Sequence, residues 1–238
     1  MPPDAKATSE MSHKPRYTVR RASTIPALHA DWSDPAWAKA DTLHIAHFRP
    51  EGSAHRPMTL ARLLFDDETI HGIFHVQDRY VRCIHTGFNA PVSRDSCVEF
   101  FVQPTRAGYF NFEFSCVGAL LAYYITDPTR TQGAFVAYTP LAPTDGARVK
   151  IAHSLPSIVE PEISQPVEWS LQFRIPLALI EGYAGPFGGL PGHSWRANFY
   201  KCGDETSHPH WAAWSPVREL NFHLPECFGE IRFEETTL

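Results

Sequence analysis

Apolar residues recur at every second position through most of this chain, and few stretches repeat at the wider spacing of a helix. That alternation predicts half-buried strands. It marks strands at 17–21, 43–48, 59–65, 70–77, 81–85, 120–125, 149–151, 195–202 and 228–233. The cleanest is 167–175, with Val167, Trp169, Leu171, Phe173 and Ile175 facing in and Glu168, Ser170, Gln172 and Arg174 facing out. Asp66-Asp67-Glu68 is a turn joining two strands into a hairpin. Helix is predicted only in short pieces. One lies at 32–40, with Ser33 or Asp34 as cap and Pro35 at the first helical position; the other is a single turn at 177–180. Residues 126–145 and 155–166 carry turn formers and prolines, so they read as a surface loop and a connection.

The stretch 95–118, DSCVEFFVQPTRAGYFNFEFSCVG, is the most informative. A turn near Arg106 makes it a hairpin with Val98, Phe100, Val102, Phe110, Phe112, Phe114 and Cys116 on one face. Glu99 then stands opposite Glu113 on the other. Like charges facing each other weaken a strand pair. A ligand, a cation or catalysis would compensate; an arginine between them, or a register slipped by one residue, would remove the conflict.

Composition narrows the picture. The chain has 238 residues, 43% of them hydrophobic, with 16 Phe and 21 Pro but only 3 Met, which favours strands and turns over helices. These features predict an all-β fold: an antiparallel β-sandwich, jelly-roll or immunoglobulin-like, or else a barrel, with little helix. The polar segment 1–15 is expected to be disordered and 16–238 to form one domain. Net charge is −5 with basic residues scattered, so nucleic acid is not an expected partner. No apolar run reaches bilayer length, so neither is a membrane. Residues 1–15 lack the apolar segment of a signal peptide. The five cysteines (Cys83, Cys97, Cys116, Cys202 and Cys227) form no obvious disulfide framework and read as buried free thiols. Both points favour the cytoplasm; a mature secreted or periplasmic form is the alternative.

The order of features resembles a known family. Asp34-x-x-Trp37 comes first, then Phe74-His75-Val76-Gln77-Asp78 and Asp95-Ser96-Cys97-Val98-Glu99-Phe100-Phe101-Val102. There follow a Glu-x-Trp strand closing in Ile175-Pro176, Trp195-Arg196-Ala197-Asn198-Phe199, Trp214-Ser215-Pro216, and Pro225-Glu226-Cys227-Phe228-Gly229-Glu230-Ile231. This is similar to the family 9 carbohydrate-binding modules and their stand-alone relatives in the DOMON-like superfamily, over about residues 25–235. The resemblance implies a sugar-binding β-sandwich, in some members acting in polysaccharide catabolism, with calcium as a structural ion. In xylanase-associated members two tryptophans clamp a disaccharide. The position of the first reads Pro91-Val92-Ser93-Arg94 here, and Phe222 stands at the second. The family's acidic residue corresponds to Glu99 and a later polar one to Asn198.

Candidate ligand residues follow. Glu99, Glu113, Arg196, Asn198 and Tyr200 share one sheet face and offer directional hydrogen bonds, or else form a solvated surface. Trp211, Trp214 and Phe222 offer a stacking surface for a sugar ring, although both tryptophans could instead plug the sandwich end. Cys202, Asp204, His208 and His210 offer zinc donors, and Asp78 and Asp95 oxygen ligands for calcium or turn caps. The expected function is non-catalytic carbohydrate binding. The alternatives are a glycoside hydrolase using Glu99 and Glu113, and an interaction domain without a small ligand. Oligomeric state is not legible in the chain.

Overall fold

The structure, a computed structural model, describes residues 14–235; the segment expected to be disordered lies mostly outside them. The first half of the described chain holds β1 (Arg16–Arg21), β2 (Leu43–His44), β3 (His47–Phe48), β4 (Met58–Phe65), β5 (Thr69–Asp78), β6 (Val81–Cys83), β7 (Cys97–Thr105) and β8 (Gly108–Ser115). The second holds β9 (Leu120–Thr131), β10 (Ala134–Pro140), β11 (Lys150–His153), β12 (Val159–Ile163), β13 (Val167–Pro176), β14 (Ser194–Gly203), β15 (His210–Ala213) and β16 (Gly229–Phe233). Two short helices, α1 (Pro143–Gly146) and α2 (Leu177–Ala184), complete the regular structure. No helix among the described residues is long and apolar enough to cross a membrane.

The strands form two layers. One runs β10-β9-β8-β7-β14-β16-β1, with β15 continuing beside β14; the other runs β1-β4-β5-β13-β11. Strand β1 belongs to both. Arg16–Val19 lie parallel to β16, and Arg20–Arg21 parallel to β4. All other pairings are antiparallel, as the hairpin pattern predicts. Asp34 caps a short 3-10 turn over Pro35–Trp37 by accepting from the Ala36 amide.

The core lies between the layers. Val98, Phe100, Val102, Phe110, Phe112 and Phe114 from one face meet Leu63, Phe74, Val76, Trp169, Leu171 and Phe173 from the other. Phe173 stacks on Phe114 at 5.0 Å and lies 5.7 Å from Phe100, tying the sheets together. Gly72 is required beneath it, since a Cβ there would sit 2.1 Å from the Phe173 ring.

Several expectations change. Residues 126–145 are not a loop but the outer half of a β9–β10 hairpin, followed by α1. Gln132 and Gly133 take φ of 53° and 87°, the two left-handed positions of a tight hairpin turn. The prolines of 155–166 tolerate β12, which pairs with β6. Segment 43–48 splits into β2 and β3, which pair with different partners. The outward residues of β13 are partly covered: Gln172 is buried and accepts from the His29 and Ala30 amides at 3.1 and 2.9 Å. The outer face of the β7–β8–β14 sheet is not solvated either. Phe101, Tyr109, Tyr200, Val217, Leu224 and Phe228 make a second apolar layer there, under the 215–228 segment.

Candidate functional site

The strand registers place three rows of side chains across β14, β7 and β8 on that outer face. They read Cys202–Cys97–Ser115, Tyr200–Glu99–Glu113 and Asn198–Phe101–Asn111. Glu99 does face Glu113, and neither a register slip nor an intervening arginine separates them. Above the first two rows opens a cavity of about 730 Å³, bordered by Ser93, Arg130, Asp204, Trp211, Phe222 and His223, with Glu99, Glu113 and Cys202 in its floor.

The like-charge conflict is relieved by protonation. Glu99 is 2% exposed; burial, with Cys202 and Glu113 beside it, pushes its carboxyl well above the usual range. Its Oε1 lies 3.2 Å from Cys202 Sγ, and its Oε2 has no hydrogen-bond partner. Burial also raises Glu113, to about 7, although the Asn111 amide donating to it at 2.8 Å pulls the other way. Asp204 is raised by burial and accepts from Trp211 Nε1 at 2.7 Å. The floor therefore holds a neutral acid that can both donate and accept, beside one that titrates near neutrality.

The expected ligand residues divide into three groups. Glu99, Glu113, Trp211 and Phe222 border the cavity together. Asn198 and Tyr200 support its wall instead of facing the opening. Asn198 is fully buried, donating to the Ser215 carbonyl at 2.9 Å and accepting from the Ser215 amide at 2.8 Å. Tyr200 donates to the Phe222 carbonyl and stacks under the Phe222 ring at 3.9 Å. Arg196 and Trp214 belong elsewhere. Arg196 donates to the Pro225 carbonyl and borders a separate concavity with Lys14 and Arg16. Trp214 is buried in the main core, its ring 5.7 Å from Phe199; β15 alternation turns Trp211 outward and leaves Trp214 inside. Arg130 was not anticipated as a site residue. It borders the cavity from the β9–β10 hairpin, its guanidinium 4.2 Å from the Phe135 ring centroid. Only reading 126–145 as strand would have brought it there.

The metal candidates do not converge. Cys202 and Asp204 face the cavity. His208 stacks on Tyr80 at 3.6 Å, and His210 points to the other side of the sheet. There His55, Asp78 and His210 lie close enough to share an ion, but the Lys201 ammonium stands among them. Its Nζ donates to His210 Nε2 at 2.7 Å and to the Cys202 carbonyl at 3.0 Å, and lies 3.3 Å from Asp78 Oδ2. Burial disfavours the Asp78 carboxylate, but Lys201 and the His55 hydrogen bond outweigh it and hold Asp78 well below the usual range. Burial and the Lys201 charge drive His210 down to about 3, so it stays neutral. Asp95 Oδ2 accepts from the Ile84 and His85 amides at 3.0 and 2.7 Å, with Arg82 3.6 Å from the other oxygen. Asp95 caps a turn, and Asp78 is half of an ion pair.

The architecture is thus a two-layer antiparallel sandwich carrying an aromatic- and carboxyl-lined cavity on the outer face of one sheet. The sequence profile of carbohydrate-binding family 9 matches residues 36–233, and the chain belongs to that family. It is similar in structure to a candidate carbohydrate-binding protein from Bacteroides uniformis ATCC 8492, at 26% identity and a TM-score of 0.79 over 93% of this chain and 100% of that one. It also shares the fold of a family 9 carbohydrate-binding module from Caldicellulosiruptor kristjanssonii, solved with cellotriose and with glucose. Each of those comparisons has 14% identity and a TM-score of 0.57 over 94% of this chain, and they cover 95% and 97% of the module. No curated protein sequence matches the chain.

Proposed function

We propose that the outer-face cavity binds a carbohydrate without chemical change. The observation carrying this reading is the convergence of Trp211 and Phe222 with Glu99, Glu113, Asp204 and Arg130 around one opening. A sugar presents apolar C–H faces to aromatic rings and hydroxyls to groups that donate and accept. The half-buried indole of Trp211, fixed by Asp204, offers the first. The neutral Glu99, Glu113 and the Arg130 guanidinium offer the second. Family membership supports the reading, as do the cellotriose and glucose bound by the Caldicellulosiruptor module. Two of the chain's aromatic candidates serve here, Trp211 and Phe222; a role in polysaccharide catabolism is the corresponding biological proposal.

The test is a tryptophan-fluorescence titration with glucose, cello-oligosaccharides and a wider glycan panel. Saturable binding by the wild type, weakened about ten- to hundred-fold in Trp211→Ala, is expected; that is about 1.4–2.8 kcal/mol. Sugar release from any substrate, lost in Glu99→Gln, would replace binding with glycoside hydrolysis. Silence across the panel would leave an interaction domain.

A further inference from the structure

The cavity floor also holds two thiols that the carbohydrate reading does not use, beside Glu99, which it does. Cys97 and Cys202 stand directly opposite each other on β7 and β14, both outward. Glu99 lies beside them: its Oε1 is 3.2 Å from Cys202 Sγ and 3.8 Å from Cys97 Sγ. One ligand atom from each of the three lies within 4.8 Å of the others. Ligand bonds of about 2.0–2.3 Å at tetrahedral angles separate neighbouring donors by about 3.5–3.8 Å. The two sulfur–oxygen separations thus already lie near the spacing one ion demands, and the two sulfurs are within 4.8 Å of each other.

A further observation points to a ligand. Glu99 is 2% exposed, yet its Oε2 has no partner in the floor of an open cavity, and a buried polar atom left unpaired is costly.

We infer that Cys97, Cys202 and Glu99 form a binding site for zinc, a borderline-soft divalent ion, at the base of the cavity. The two sulfurs and one carboxylate oxygen supply three ligands, and the fourth position opens toward the cavity, the arrangement of a zinc site accessible to solvent or ligand. The ion takes the two thiolates and the Glu99 carboxylate, and the two thiol protons and the Glu99 proton pass to solvent. This site is distinct from the His55–Asp78–His210 group, where Lys201 stands among the donors.

The experiment uses the whole chain, reduced and stripped of metal with EDTA, without sugar, so that its outcome is independent of the carbohydrate reading. Cobalt(II) serves as optical probe and zinc then competes for the site. One equivalent of cobalt with thiolate-to-metal charge-transfer absorption is expected. Cys97→Ala and Cys202→Ala should each weaken zinc binding by more than about 100-fold, beyond the ~10–100-fold that an outer partner gives. Cys227→Ser should leave it unchanged. X-ray absorption on the zinc-loaded wild type avoids any folding defect of the variants: two sulfurs at about 2.3 Å are expected. A coordination sphere of nitrogen and oxygen only, no cobalt uptake by the reduced chain, or affinity indifferent to Cys202→Ala would each overturn the site.

Discussion

Replacing Lys201 with methionine isolates the most exposed assumption about how the two sheets are held in register. Lys201 occupies the inward stripe of β14, continuing Trp195, Ala197 and Phe199, where the alternation calls for an apolar residue. Its side chain is 0% exposed and that of its partner Asp78 1%, and their 3.3 Å contact joins one sheet to the other. Methionine fills the volume but leaves Asp78 with His55, Trp169 and the Arg79 amide as its remaining partners. Removing one member of a buried pair costs about 3–5 kcal/mol, because the other charge stays buried. With a urea slope of about 2–3 kcal/mol/M for a chain of this size, the unfolding midpoint should fall by about 1–2.5 M. Asp78→Asn combined with Lys201→Met should recover at least half of that loss, since neither charge then remains. The assay is urea unfolding at pH 7, followed by tryptophan fluorescence and circular dichroism. A Lys201→Met cost below about 1 kcal/mol, or simple additivity in the double variant, would show that the Lys201–Asp78 pair does not hold the sheets together.

Other consequences are sharp enough to measure. His210 has a folded pKa of about 3, against an ordinary histidine value of 6.5. A depressed pKa means stability is intact above 6.5 and lost as pH falls toward 3, by about 1.4 kcal/mol per pH unit; His210→Gln should flatten the urea-unfolding profile between pH 6 and about 4. Glu113 has the opposite sign: raised from 4.5 to about 7, it favours folding fully below 4.5 and loses that contribution as pH rises through 7. Glu113→Gln should therefore raise the melting temperature at pH 8, by a free energy on the order of 3 kcal/mol, and leave it unchanged at pH 4. Equal effects at both pH values would count against a buried, raised carboxyl. Asn198→Ala strips the Ser215 amide and carbonyl of their partners and should cost about 2–3 kcal/mol. It should also weaken any ligand of the cavity while leaving Trp211 in place; calorimetry and titration read the two effects.

Much of this was legible in the chain. The Glu99–Glu113 register follows from unbroken alternation on both sides of a turn near Arg106, because period two leaves little choice once one face must be buried. The environment of that pair was less legible. The face that carries it is covered by residues 215–228, a segment without period whose position depends on the Asn198 and Tyr200 contacts. The signal present in the sequence was the pair of aromatics, Phe101 and Tyr109, on an ostensibly polar face. Trp214 and Trp211 could not be told apart by composition; their difference is the phase of β15, continued one residue past its end at Ala213. Lys201 defeats pattern reading because its charge is matched by Asp78 from another sheet, and a single alternating segment holds no record of the partner.

Strand β1 lies parallel to β16 over Arg16–Val19 and then crosses to β4, so the seam between the layers is made by the first and last strands of the fold. Arg20 and Glu234, 214 residues apart, meet across it. During synthesis on the ribosome this seam must wait for β16 to emerge, long after the hairpins have been able to close. Until then β1 and the β14 edge are open to unwanted pairing. Closure of the sandwich is therefore a late event in the life of each molecule, and the aggregation risk of a nascent chain concentrates at that one edge.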